Sequence, residues 1–300
     1  MEKINKNLKI TCLVSLFLMF FLIGTFNDLQ ISITLSNWTE KSAILSFVAK
    51  LMSNLGDLGL YLILLMFAAV LINWIVYSFF QKKWHWLIFV FQILLFIIYI
   101  ATLTNRIWLF NNLSSDSDSN FYYYGSLVIN AVLGLTAQIL VIIKINNQAI
   151  AKTYLVPVVK SIIFIAMLFG VILVMKYAFG RPRFIDLQPD FYDYRPWFAN
   201  IFSSQNRGTS FPSGHMGVVT AYLSLIWFLE PLKIKKVFTK NFLLVIYWVV
   251  IFLMATARIG IKAHYFTDVL TTPAIGLLMI TAVEKIENVF WNFKVSRKGK

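Results

Sequence analysis

Eight apolar stretches, at about 8–26, 58–80, 86–104, 126–143, 157–175, 216–229, 242–257 and 267–283, take up most of this 300-residue chain. A helix needs about 20 residues to cross the hydrocarbon layer of a bilayer, with about 17 as a lower limit. Two of the stretches, 216–229 and 242–257, need their flanking residues to reach that length. The pattern predicts an all-α, polytopic transmembrane helix bundle of about eight spans, forming a single membrane domain over 1–300. Composition agrees. Hydrophobic residues make up 59% of the chain and charged residues only 13%, against roughly 45–50% and 25% in soluble domains. A soluble fold with so little charge would leave a large apolar area facing water.

The net charge of +14 does not indicate a nucleic-acid partner, which would need a basic face on a soluble domain. Here the cations lie between apolar segments. The single cysteine, Cys12, sits in an apolar run and can form no intramolecular disulfide.

The distribution of lysine and arginine sets the orientation. With the N-terminus inside, the inner segments are 1–9, 81–85, 144–154, 230–241 and 284–300, and they carry more than half of the 27 cations. Both termini are basic, so an even number of spans, N-in and C-in, is expected. The first run has a basic start but is long, lacks a small-x-small cleavage site and is followed by further spans, so it reads as an uncleaved span. Ser114–Asn120 reads as a flexible outer loop, and Ala43–Leu55 as a helix lying at the interface. The longest irregular segment, 184–210, is rich in aromatics, Asp and Arg.

Three polar clusters fall on the outer face under this topology. The first is Lys176-Tyr-Ala-Phe-Gly-Arg181-Pro182-Arg183-Phe184, at the outer end of the 157–175 span. Alone it is also compatible with snorkelling interfacial anchors. The second is Ser210-Phe-Pro212-Ser213-Gly214-His215. Proline followed by small residues opens a helix well, and the N–H groups of Ser213, Gly214 and His215 would then form an anion site. The third is Arg258-x5-His264-x3-Asp268. If 264–268 is helical, His264 and Asp268 are neighbours on one face, and the carboxylate fixes the tautomer so that the other ring nitrogen can attack. The third histidine, His85, sits in a short basic inner loop and reads as a solvated interface residue. Three cations, a helix N-terminus and two histidines on one face describe a site for a phosphate dianion.

These residues resemble the type 2 phosphatidic acid phosphatase superfamily, which includes membrane lipid phosphatases and relatives of the vanadium haloperoxidases. The motif Lys-x6-Arg-Pro is matched by Lys176 and Arg183, with Phe184 in place of proline. Pro-Ser-Gly-His is intact at 212–215. Ser-Arg-x5-His-x3-Asp is matched by Arg258, His264 and Asp268, with Ala257 in place of serine. The resemblance covers 157–283, the expected catalytic core, with a weaker likeness over 27–80. Membrane members usually have six spans, so the pair at 86–143 reads as an inserted transmembrane hairpin.

The resemblance implies an integral-membrane lipid phosphatase that forms a phosphohistidine. His264 would be the nucleophile, Asp268 its orienting group and His215 the acid that protonates the leaving oxygen. Lys176, Arg183, Arg258, the Ser213 hydroxyl and the Gly214 N–H would bind phosphate, and Arg181 is a candidate contact for a second phosphate or the headgroup region. No metal or cofactor is implied. The expected partner is a phospholipid or isoprenoid-phosphate substrate in a bacterial cytoplasmic membrane, with the site facing outward. Two alternatives use the same residues: a lipid phosphotransferase, and a transporter whose cations only bind an anion. The spans carry little internal charge away from the outer face, which argues against a path through the protein.

Overall fold

In a computed structural model, described for residues 2–113, 117–187, 190–199, 201–202, 208–232 and 237–298, every long element is a helix. The helices are α1 (Glu2–Lys41), α2 (Ala43–Phe79), α3 (Leu87–Leu113), α4 (Ser117–Lys144), α5 (Gln148–Phe179), α6 (Gly214–Ala221), α7 (Val237–Gly260) and α8 (Phe266–Lys298). Seven are long and apolar enough to cross a membrane. A shorter apolar piece, Gly214–Phe228, is made of the eight residues of α6 and a seven-residue 3-10 segment, Tyr222–Phe228. A 3-10 helix rises about 2.0 Å per residue against 1.5 Å in an α-helix. The tighter winding therefore stretches this short piece to roughly 26 Å, close to the ~30 Å thickness of the hydrocarbon layer.

The first helix runs on past the apolar stretch of the sequence reading. Apolar character fades after residue 26, yet α1 continues to Lys41, with non-helical dihedrals only at Asn27, and Leu18–Lys41 is itself apolar enough to cross a membrane. The polar residues of this half are satisfied within the helix. Ser32, Thr34 and Thr39 donate to the carbonyls four residues back, at 2.7–3.0 Å, and Ser36 to that of Ile33. Such back-bonding removes the cost of placing hydroxyls in an apolar layer.

The second difference is Ala43–Leu55. These residues form no separate interfacial helix but are the first turns of α2, capped by the Ser42 side chain accepting from the Leu45 N–H. At 37 residues, α2 is about 55 Å long, so it extends beyond the hydrocarbon layer and carries Ser53, Asn54 and Asp57 alongside the polar clusters.

Helices α3 and α4 pack against each other and against α2. Buried amides hold it there. The Gln92 side chain donates to the Ala69 carbonyl and to Asn73 Oδ1, each at 2.9 Å, while Gln138 donates to Gln92 Oε1 at 3.1 Å. Asn73 itself donates to the Ile145 carbonyl at the start of the next connection. Interhelical hydrogen bonds of this kind contribute about 0.6–2 kcal/mol each in a membrane. Of the stretch Ser114–Asn120, residues 114–116 lie outside the described residues, and Ser117 onward belongs to α4. His85 is partly buried, with Nε2 3.3 Å from the Phe80 carbonyl and its ring edge-on to Tyr77.

The segment after α5 is pinned rather than loose. Gly180 ends the helix with a left-handed φ of 49°, a conformation that suits glycine. Gly208 then passes so close that a Cβ there would lie 1.9 Å from the Arg181 carbonyl oxygen. Only glycine fits. Trp197 stacks on Phe211 at 5.4 Å and donates through its indole N–H to Thr25 on α1.

Candidate active site

The site is assembled at the ends of α5, α6, α7 and α8 and closed by α1 and α2. At the α7 end, the His264 N–H bonds to the Arg258 carbonyl at 3.2 Å, and Lys262 takes a φ of 61° to close the turn. The six-residue offset between Arg258 and His264 is thus a single backbone loop. His264 is not on a helix shared with Asp268, as the i,i+4 reading supposed. It lies in the connection, and α8 begins only at Phe266. Asp268 reaches back from the third position of α8 instead, and its Oδ2 accepts the Tyr265 N–H at 3.0 Å, in the manner of a capping box.

Asp268 Oδ2 lies 3.5 Å from His264 Nδ1 and also accepts from the Ser210 hydroxyl. The pairing distance is long for a hydrogen bond, as is common in unliganded catalytic pairs. His264 is buried, and that burial, with Arg258 nearby, pushes its pKa down to about 3 despite the Asp268 contact. The ring is therefore neutral at pH 7. With Nδ1 toward a carboxylate, its proton sits on Nδ1 and the Nε2 lone pair is left for chemistry.

The second cluster opens α6. Ser213 is the N-cap, its hydroxyl accepting from the Met216 N–H at 3.4 Å. Its own N–H donates to the Asp268 carbonyl at 3.0 Å, so this group is not available to an anion as the sequence suggested. The first-turn N–H groups of Gly214 and His215 remain as donors that an α-helix does not satisfy internally. Lys176 crosses this opening. Its Cε would lie 3.8 Å from a Cβ at Gly214, and its ammonium donates to the Thr209 carbonyl. Lys176 is in electrostatic range of Asp268, Arg183 and Arg258, and Arg183 is exposed beside it. Lys176, Arg183, Arg258, Gly214, His215 and His264 are therefore brought together around one opening.

Arg181 is the exception. It does not face a headgroup but is buried, 2% exposed. One guanidinium nitrogen is 2.7 Å from Asp28 on α1, the other 2.8 Å from Asp268 Oδ1 on α8, and Nε donates to the Arg195 carbonyl. The Tyr265 ring lies 3.8 Å away, as a cation–π partner. Burial would lower the Arg181 pKa, but Asp268 and Asp28 raise it above the ordinary value. Burial, with Asp28 beside it, pushes the Tyr194 hydroxyl up to about 12. A guanidinium with no acceptor can be buried only where carboxylates and carbonyls use its donors.

Three partners were not singled out from sequence. Asp57 on α2 lies 2.7 Å, through Oδ1, from His215 Nε2. Ser53, one turn earlier, accepts from Arg258 Nη1 at 2.5 Å, a hydroxyl on another helix where Ala257 has none. Asp28 accepts the Thr267 N–H at 2.8 Å as well as Arg181. Each carboxylate lies just outside an apolar stretch, Asp28 after 8–26 and Asp57 before 58–80, and acidic residues beside membrane spans are the signal that flags them. Phe184, standing where the motif has proline, is fully buried and stacks on Phe191 at 5.3 Å. Among the described residues, no group of three or more His, Cys, Asp or Glu could hold a metal ion.

Residues 157–291 match the family model of the PAP2 superfamily. Over these residues the chain is similar to that superfamily. Its members generally hydrolyse phosphate esters. No curated protein and no solved structure matches the chain. The matched segment supplies both histidines, Asp268 and all the cations of the site, while Asp28, Ser53 and Asp57 come from helices outside it.

Asp28→Ala should leave the Arg181 charge half-paired in a buried site, at a cost of about 3–5 kcal/mol. Thermal unfolding in detergent should show a large loss, and a smaller one for Asp28→Asn, which keeps an acceptor. The depressed His264 pKa also couples stability to pH. The neutral ring contributes fully above the ordinary value of 6.5, and that contribution is lost as pH falls from 6.5 toward 3. The unfolding temperature should drop across that window, and less steeply in His264→Gln.

Proposed function

We propose that the chain is an integral-membrane lipid phosphatase that removes a terminal phosphate or pyrophosphate group through a phosphohistidine. The observation that carries this reading is a neutral, buried His264 held by Asp268 through Nδ1, with Lys176, Arg183 and Arg258 gathered around it. His264 Nε2 attacks phosphorus, and the bond to the leaving oxygen breaks in line. The three cations and the Gly214 N–H take up the phosphoryl charge. His215, held at Nε2 by Asp57, presents Nδ1 to protonate the leaving oxygen. The same nitrogen then takes a proton from the water that splits the phosphohistidine.

The substrates this site suits are lipids with an exposed phosphate: undecaprenyl pyrophosphate, phosphatidylglycerophosphate, phosphatidate or a lipid A phosphate. The membrane proposed is a bacterial cytoplasmic one, and the Lys/Arg-rich segments between the spans support an N-in, C-in orientation in it, with the site on the outer side. Residues 157–283 then form the catalytic core, and 86–143 an inserted hairpin.

The test is phosphate release by purified protein. His264→Ala should give none from any substrate, since no other group can carry the phosphoryl. Asp57→Asn should slow single-turnover formation of the phosphohistidine from an alkyl phosphate by about 10²–10⁴, the usual contribution of a positioned acid, but spare its formation from p-nitrophenyl phosphate, whose leaving group needs no proton. Equal losses in that step on both substrates would mean that Asp57 does not serve the acid, and turnover by His264→Ala would remove the phosphohistidine.

A further inference from the structure

Beside the site lies a cavity of about 750 Å³ bounded by α2, α4, the α6 and 3-10 segment, and α7. Its upper end is formed by Met52, Gly56 and Met254. Gly56 also forms the floor under His215, because a Cβ there would stand 2.8 Å from the His215 ring and 2.9 Å from Met254 Cε. The cavity therefore begins one atom's width from a histidine of the site. Its lower end is marked by Glu230 and Asn241. Along α7, from Met254 to Asn241, that distance is about 20 Å at 1.5 Å per residue. One leaflet of hydrocarbon is only about 15 Å deep.

The walls offer little to a polar ligand. The Asn130 amide donates to the Ser126 carbonyl, and the Tyr222 hydroxyl to the Gly59 carbonyl, both at 2.9 Å. These groups are already engaged, so the middle of the cavity behaves as apolar surface. Opposite α7 the wall is α4, through Ile129, Asn130 and Leu133, and Ile129 and Leu133 stay partly exposed. This wall belongs to the hairpin outside the superfamily match.

We infer that this groove holds the hydrocarbon chain of the lipid phosphate whose head is bound at His264, and that the α4 wall makes the enzyme sensitive to the length of that chain. The inference rests on the phosphatase reading and adds to it a chain site with a named selectivity wall. A hydrocarbon tied to a phosphate accounts for a groove that starts beside His215, under Gly56, and runs about a leaflet deep. A fatty alkyl chain and a prenyl chain share the required chemistry.

Two length series, alkyl phosphates and prenyl phosphates, would be assayed in one detergent with p-nitrophenyl phosphate as the chainless control. In the wild type, KM should fall with length in at least one series, and the steeper one identifies the chain. Leu133→Trp, which fills the groove from α4, should raise KM for the longest substrate about tenfold, a loss of 1.4 kcal/mol in binding. Turnover of p-nitrophenyl phosphate should be unchanged in that variant and in Leu133→Ala, which shows that both fold. Length-independent KM, or an unaffected Leu133→Trp, would overturn the proposal. A non-hydrolysable alkyl phosphonate with a terminal diazirine separates this from failure of the phosphatase reading. Crosslinks on α4 or α7 without any phosphate release would keep the groove and reject the enzyme. Phosphate release with crosslinks only elsewhere would reject the groove and keep the enzyme.

Discussion

The buried guanidinium of Arg181 holds this site together. Arginine remains charged at any relevant pH, and a charge inside a membrane bundle is tolerable only when its donors are used. Here they are used by Asp28 from α1 and Asp268 from α8, helped by the Arg195 carbonyl and the Tyr265 ring. One side chain therefore ties the first helix, the last helix and the aromatic segment after α5 to one point. It also divides the work of Asp268. With Oδ1 committed to Arg181, Oδ2 is left for His264, Ser210 and the Tyr265 N–H. The orientation of the His264 ring is thus set by an ion pair that never faces the substrate side.

The same logic explains why α1 and α2 belong to the site although the superfamily match begins at residue 157. Each histidine is faced by a carboxylate, Asp268 for His264 and Asp57 for His215. The second comes from α2, at a turn where Ser53 also meets Arg258. These turns of α2 stand beside the site because the helix continues outward past the apolar stretch. Had Ala43–Leu55 lain flat at the interface, neither Ser53 nor Asp57 could reach its partner.

Much of this was legible in the residues. Long apolar runs specify membrane helices because the backbone has no other way to bond in hydrocarbon. The three clusters stood out because charged residues are rare in such a chain. What could not be read depended on partners distant in sequence. Arg181 resembled a surface cation next to Arg183, and only the approach of Asp28, 153 residues earlier, makes it a buried one. The polar half of α1 fell outside the apolar stretch 8–26 because hydroxyl counts do not reveal that Ser32 and Thr39 bond to their own helix. His264 and Asp268 were rightly paired by spacing, but through a cap at the start of α8 and not along a helical face.

Charge, finally, bears on what the proposed phosphatase site would select. Asp28, Asp268 and Asp57 are each taken up by Arg181 or a histidine. Among the described residues, no carboxylate lies within ion-pair distance of Lys176, Arg183 or Arg258; Lys176 and Arg258 bond instead to a carbonyl and a hydroxyl, which carry no compensating charge. Three positive charges therefore act together on whatever approaches His264. In a partly desolvated pocket such charges interact more strongly than in water, and a doubly charged phosphate gains more from them than a carboxylate or a sulfate ester. On the proposed mechanism, the attacking histidine must at the same time stay neutral beside this positive field. Burial and the field itself keep His264 so, and the arrangement that would attract a dianion is also the one that leaves the Nε2 lone pair free.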